Sequence, residues 1–177
     1  AREANIVLVA RHVSALAGVR PDRQLALAAD LTRQPDAERV AAETLARFGR
    51  IDVLCNIAGG FRMGSPVHET TDETWSFLLD LNVMTMLNTV RAVVPRMLAQ
   101  GGGRVVNVAT NAALRGTAGM GAYCATKSAV IRLTESMAAE LRERNVNVNC
   151  VLPTTLDTPE NRAAMPKADA SRWVRPD

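Results

Sequence analysis

The sequence predicts an α/β fold with a doubly wound parallel sheet in a single domain, 1–177. Three observations predict it. Short apolar runs alternate with longer amphipathic ones. The short runs are continuously apolar, as expected of parallel strands buried on both faces. Polar and glycine residues gather directly after these runs, where open α/β sheets hold ligands.

Ile6–Ala10 reads as the first strand and Leu25–Ala29 as the second. Residues 35–48 read as a helix, because Ala37, Val40, Ala41, Leu45 and Phe48 share one face and Gly49 supplies a stop. Ile51–Ile57 is the third strand, followed by a polar, glycine-containing loop over about 59–70. Thr70 and Glu73 match a capping box, which opens a helix running to about Leu98, before Gly101-Gly102-Gly103. Arg104–Ala109 is the fourth strand, 122–144 a second long helix and Val146–Leu152 the fifth strand. From Pro153 the chain turns irregular, with short helical pieces, and 153–177 reads as a cover on the substrate side.

Composition narrows the function classes. The chain has 177 residues, 47% of them hydrophobic, which suits a folded domain and argues against disorder. A net charge of +3, with its basic residues scattered, gives no footprint for nucleic acid. No apolar run reads as a bilayer span or signal peptide, so no membrane partner and a cytoplasmic setting are expected. Cys55, Cys124 and Cys150 are an odd set; Cys55 and Cys150 fall in apolar runs and read as buried reduced thiols. With only His12 and His68, a zinc site has no ligand set.

Tyr123 is the only tyrosine, and among 21 basic residues only Lys127 and Lys167 are lysine. Tyr123 and Lys127 lie four apart near the start of a helix, a spacing that puts both on one face. A phenol with a pKa of about 10 exchanges protons slowly at neutral pH. A neighbouring ammonium is expected to lower that value and make the pair a general acid–base.

Tyr123-Cys124-Ala125-Thr126-Lys127 resembles the Tyr-x-x-x-Lys motif of the short-chain dehydrogenases/reductases. Asn56-Ile57-Ala58-Gly59 resembles that family's Asn-x-Ala-Gly motif, which supports the sheet and borders the cofactor. Asp30-Leu31 matches its acidic–aliphatic pair at the adenine ring, and Asn82 sits where it keeps a proton-relay asparagine. The resemblance implies a Rossmann-like fold and hydride transfer between a nicotinamide cofactor and a small carbonyl or alcohol. Tyr123 would donate the proton; Lys127 would tune it and hold the nicotinamide ribose. Pro153 and Thr158 fall in the segment that binds the nicotinamide amide, although Thr154 replaces a glycine there. The catalytic serine's position is Thr110, whose hydroxyl can still face a carbonyl oxygen. Arg11 stands just after the first strand, where NAD-preferring members keep an acid. It suits a 2′-phosphate, so NADP(H) is expected over NAD(H).

Gly116–Met120, and the stretch from Leu156 through Met165 to Trp173, are similar to dihydropteridine reductases, which typically use NADH. The family's two long helices pack between subunits, which implies a homodimer or homotetramer. The sequence lacks the family's opening strand and glycine-rich turn, since Ala1-Arg2-Glu3 resembles the end of the first helix, and it stops before the last strand. The natural protein is therefore expected to be longer; an intact mass near 19.0 kDa would refute this. The departures at Thr110 and Thr154 motivate an alternative, a non-catalytic NAD(P)-binding or regulatory relative.

Overall fold

The computed structural model describes residues 4–12 and 22–176. The reading of residues 1–3 as a helix end lies outside them. All strand pairings among the described residues are parallel. Strand β1 (Ile6–Ala10) pairs in register with β2 (Gln24–Ala28), Ile6 opposite Gln24. Strands β3 (Val53–Asn56), β4 (Gly103–Val108) and β5 (Val146–Val151) form a second ladder in that order. No strand pairing joins the two ladders among the described residues.

Helix α1 (Gln34–Phe48) ends as predicted, with Gly49 at φ 77° and its N–H on the Leu45 carbonyl. Its buried face is Ala37, Ala41 and Thr44. The threonine fits because its hydroxyl bonds back to the Val40 carbonyl at 2.7 Å.

The long helix expected to 98 is three pieces: α2 (Asp72–Leu79), a π-helical turn over Asp80–Met84, and α3 (Thr85–Ala99). The capping box at Thr70 and Glu73 is not what forms. Thr71 is the N-cap and accepts from the Thr74 N–H, while the Thr70 hydroxyl donates to the Pro66 carbonyl. Pro66 opens a short 3-10 turn over Val67–Glu69, and Thr70 closes it, so the helix starts one residue later. The run 72–99 also amends the membrane reading. By length and apolar composition it could cross a bilayer, but half of its most apolar stretch is buried within the protein. Leu78, Met86, Ala92, Val93 and Met97 are core residues.

Helix α4 (Gly121–Leu141) packs on β5 and continues as a 3-10 turn over Arg142–Arg144, ended by Asn145 at φ 55°. The short helix α5 (Pro159–Ala164) follows. One apolar cluster gathers Ala37 and Ala41 of α1, Val93 and Met97 of α3, Met137 of α4, Val105 of β4 and Val146 and Val148 of β5.

Burial on both faces, expected for every strand, holds least for β3 and β5. In β5 Val146 and Val148 are buried while Asn147 and Asn149 are exposed. Val53 is half exposed and Cys55 exposed, so the reading of Cys55 as a buried thiol is corrected; Cys150 is intermediate. The reason is the one-sided cover: α1, α3 and α4 share a single cluster with the sheet.

Candidate active site

The carboxyl ends of β3, β4 and β5 bring together Asn56, Thr110 and Pro153, as predicted. The Thr110 hydroxyl and the Asn111 N–H both donate to the Pro153 carbonyl, at 3.3 and 3.1 Å, which ties the β4 and β5 exits together.

Tyr123 and Lys127 stand on the first two turns of α4. Lys127 is buried, and its Nζ donates to the Val108 carbonyl at 2.9 Å. Burial pushes its pKa below the ordinary lysine value of 10.5. Tyr123 is partly exposed. Burial raises its pKa above 10, and the Thr110 hydroxyl beside it pulls the other way. The expectation that Lys127 lowers the phenol pKa is therefore not what this site does. Loss of solvation outweighs the opposing pull of the Thr110 hydroxyl.

Asn82 lies in the π turn, 2% exposed. Its Oδ1 accepts from the Gly60 N–H at 2.8 Å, and its Nδ2 donates to the Gly60 carbonyl and the Thr126 hydroxyl. It thus clamps the β3 exit loop to α4. The extra residue of a π turn rotates the side chain off the ordinary helical repeat, a geometry common at functional sites. Gly59 completes the contact, since a Cβ there would stand 3.0 Å from both Asn82 Oδ1 and Lys127 Nζ. A side chain there would crowd both groups, which the glycine avoids.

Asn56 serves the scaffold more than the surface. Its Nδ2 donates to Asn107 Oδ1 at 2.8 Å, and its Oδ1 accepts from the Thr89 hydroxyl at 2.6 Å. Asn107, fully buried, donates in turn to the Thr134 hydroxyl at 2.8 Å. The chain Thr89–Asn56–Asn107–Thr134 therefore links α3, β3, β4 and α4. Sequence reasoning missed Asn107; the signal was a polar residue inside the apolar run Arg104–Ala109.

At the other end of the edge, Asp30 accepts from the N–H and hydroxyl of Thr32, at 3.0 and 2.7 Å. The Thr32 hydroxyl first, then its backbone N–H, hold the carboxyl below its ordinary value, and the nearby Arg11 guanidinium adds to this. Arg11 itself is exposed. The Leu31 side chain is only partly buried and packs against the core cluster, and its carbonyl accepts from Asn88 Nδ2 at 3.0 Å, a partner the sequence did not announce. Ala58 is exposed beside Gly59. Thr158 caps α5, accepting from the Asn161 N–H at 3.3 Å. His68 is exposed, with its Nε2 3.5 Å from the Glu69 carboxylate.

A hollow at the opposite edge of the sheet is lined by Arg50, Asp52, Gln100 and Asn145. Its Arg50 and Asp52 are paired with each other at 2.7 Å, so it offers no unsatisfied charge of theirs. Among the described residues no cluster of His, Cys, Asp or Glu suits a metal ion.

A family model described as short chain dehydrogenase matches residues 1–169. The chain belongs to the short-chain dehydrogenase family. Among its relatives, a sorbitol dehydrogenase from Cereibacter sphaeroides is 42% identical over 133 residues, 75% of this chain and 52% of that protein. An NAD-dependent glycerol dehydrogenase from Listeria innocua is 33% identical over 142 residues, 80% of this chain and 56% of that protein. A solved short-chain dehydrogenase from Streptomyces avermitilis superposes with a TM-score of 0.80 at 36% identity, over 85% of this chain and 57% of the other. A gluconate 5-dehydrogenase from Burkholderia cenocepacia, solved with NADP and tartrate, superposes with a TM-score of 0.87 at 25% identity, over 97% of this chain and 73% of the other. The chain thus spans about half the length of the curated relatives it matches. The family's Rossmann-like fold is that of this chain.

Proposed function

We propose that this chain carries the catalytic part of an oxidoreductase that moves a hydride between NADP(H) and a small carbonyl or alcohol. One observation carries the reading: Tyr123, Thr110, Lys127 and Asn82 meet at one sheet edge, with Gly59 left bare so that Lys127 and Asn82 face the same loop. The residues fit a nicotinamide cofactor, because a cradle that a Cβ would fill lies beside a buried ammonium. Asp30, Leu31 and Ala58 would line the adenosine side, Gly59 and Lys127 the ribose, Pro153 and Thr158 the amide, and Arg11 a 2′-phosphate. When bound, that group supplies or accepts the hydride at the substrate carbon. In reduction the Tyr123 hydroxyl gives its proton to the carbonyl oxygen, which leaves a phenolate; in oxidation the phenolate takes it back. Thr110 donates to the same oxygen and holds the substrate against Tyr123. Asn82 and Lys127 keep the loop and helix in register.

The relatives bear on the cofactor in both directions, since one is named NAD-dependent and one was solved with NADP. Arg11 is the feature that favours NADP(H). A fluorescence titration is the test: NADPH should bind more tightly than NADH, and Arg11→Ala should weaken NADPH by about tenfold while sparing NADH. Tyr123→Phe should lose about 10²–10⁴-fold in turnover with cofactor binding intact. Full turnover in that variant would end the proposal, and cofactor binding without turnover in the unaltered protein would favour the non-catalytic alternative. Reduction of a dihydropteridine is a second substrate class, resting on the resemblance of the segment from Leu156 to Trp173. A homodimer or homotetramer in the cytoplasm, built on α2–α3 and α4, belongs to the same proposal; light scattering should give a multiple of the chain mass.

A further inference from the structure

The loop after β3 carries a feature that the catalytic reading does not use. The Phe61 ring meets the Tyr123 ring edge-to-face, with centroids 4.8 Å apart and planes at 87°. That is a favourable aromatic geometry, yet Phe61 remains 52% exposed. It is not alone. Met63 (62% exposed), Val67 (64%) and Leu114 (62%) stand on the same two loops, after β3 and after β4. A hydrogen bond from the Gly64 N–H to the Gly119 carbonyl, 2.8 Å, ties those loops together. Val67 also reaches the start of α4, where a Cβ on Gly121 would meet it at 2.6 Å. The arginine of the β3 loop is engaged elsewhere. Arg62 lies 3.8 Å over the Phe77 ring and 3.8 Å from Glu73.

Exposed apolar side chains scattered singly need no explanation, but four on two loops that are tied together, one of them against the Tyr123 ring, do. Binding sites for small molecules combine apolar walls with a few polar groups that orient the ligand. Here the polar groups are Tyr123 and Thr110, the wall is Phe61, and Met63, Val67 and Leu114 add apolar surface to the loops beside it.

We infer that Phe61 is a specificity-determining wall over Tyr123 and that the site prefers carbonyl substrates bearing an apolar substituent over polyols and sugars. The occupant of the apolar rim is that substituent. This rests on the hydride-transfer reading above and adds the substrate class to it. The rim residues hold no proton and take no part in the chemical step. They lower the free energy of the bound substrate by removing its apolar surface from water.

The experiment measures kcat/KM for straight-chain 2-ketones from butanone to 2-octanone, and for fructose, with NADPH and with NADH. The unaltered protein should gain about threefold to fourfold per added methylene. Phe61→Ser should flatten that gain to less than about twofold per methylene, and Phe61→Leu should restore it. Measurable turnover with a flat series, a series unchanged in Phe61→Ser, or fructose preferred over 2-octanone would overturn the inference and leave the hydride-transfer reading standing. Absence of all turnover would sink that reading instead. Calorimetry with 2-octanol against sorbitol then decides the apolar wall by itself: tighter 2-octanol binding that Phe61→Ser abolishes supports it, and equal binding of the two alcohols overturns it.

Discussion

At the scale of single residues, the site is governed by how little water reaches it. Tyr123 and Lys127 both lose solvation on α4, and each is pushed toward its neutral form: the phenol upward, the ammonium downward. The signs have opposite consequences for stability. The folded protein holds the Tyr123 proton to higher pH than the unfolded chain does. That contribution is complete below the ordinary phenol value of about 10 and is lost as pH rises through the folded value. Lys127 gives up its proton earlier when folded, so its cost appears as pH falls below about 10.5 through its lowered value. Tyr123 is the only tyrosine, so ultraviolet absorbance of the phenolate reports it alone. Without cofactor, its midpoint should lie above 10. Thr110→Ala should raise it further by removing the group that opposes burial, and Thr110→Ser should leave it near the parent value. A midpoint below 10 in the free protein would contradict the burial argument.

At the scale of elements, polar side chains join pieces that apolar packing alone would leave free to slide. Thr89, Asn56, Asn107 and Thr134 cross from α3 through two strands to α4. In Asn107→Ala the Asn56 amide loses its acceptor and the Thr134 hydroxyl its donor, in a buried setting. The expected loss is about 2–4 kcal/mol, which at this chain length lowers Tm by roughly 4–15 °C. Calorimetry checks it, and a change under about 2 °C would mean water or a rearranged network replaces the bonds. Asn82 plays a similar part for the loop after β3, and the π turn is the element that aims it. The apolar pattern shows that 72–98 is helical. It carries no mark of a π turn inside, because one added residue shifts the repeat by less than the width of the apolar face.

At the scale of the whole molecule, the two ladders are unequal. Strands β4 and β5 share the main cluster with α1, α3 and α4, whereas β1 has no buried residue and β2 only Leu27. Local opening costs least where few apolar contacts must break. Hydrogen exchange should therefore release the amides of β1 and β2 at least about tenfold faster than those of β4. Equal protection across both ladders would show that the molecule opens as a single unit. The uneven cover also accounts for the error about Cys55. An apolar run indicates that a strand can be buried, but which neighbours arrive to bury it is a property of the assembled sheet.

Most of the fold and much of the site were legible in the residues. The alternation of runs located each strand to within two residues at either end, Gly49 marked the end of α1, and the spacing of Tyr123 and Lys127 placed them on one helix face, because period and local chain geometry are set by near neighbours. The polar residues after each strand located the site edge for the same reason. Only the tertiary structure decided the rest: the clamp of Asn82 on Gly60 and Thr126, the buried bridge through Asn107, the direction of the Tyr123 pKa and the ring of Phe61 against it. Each of these depends on groups far apart in sequence meeting where water is excluded, and desolvation is a property of the assembled surroundings, which no local pattern records.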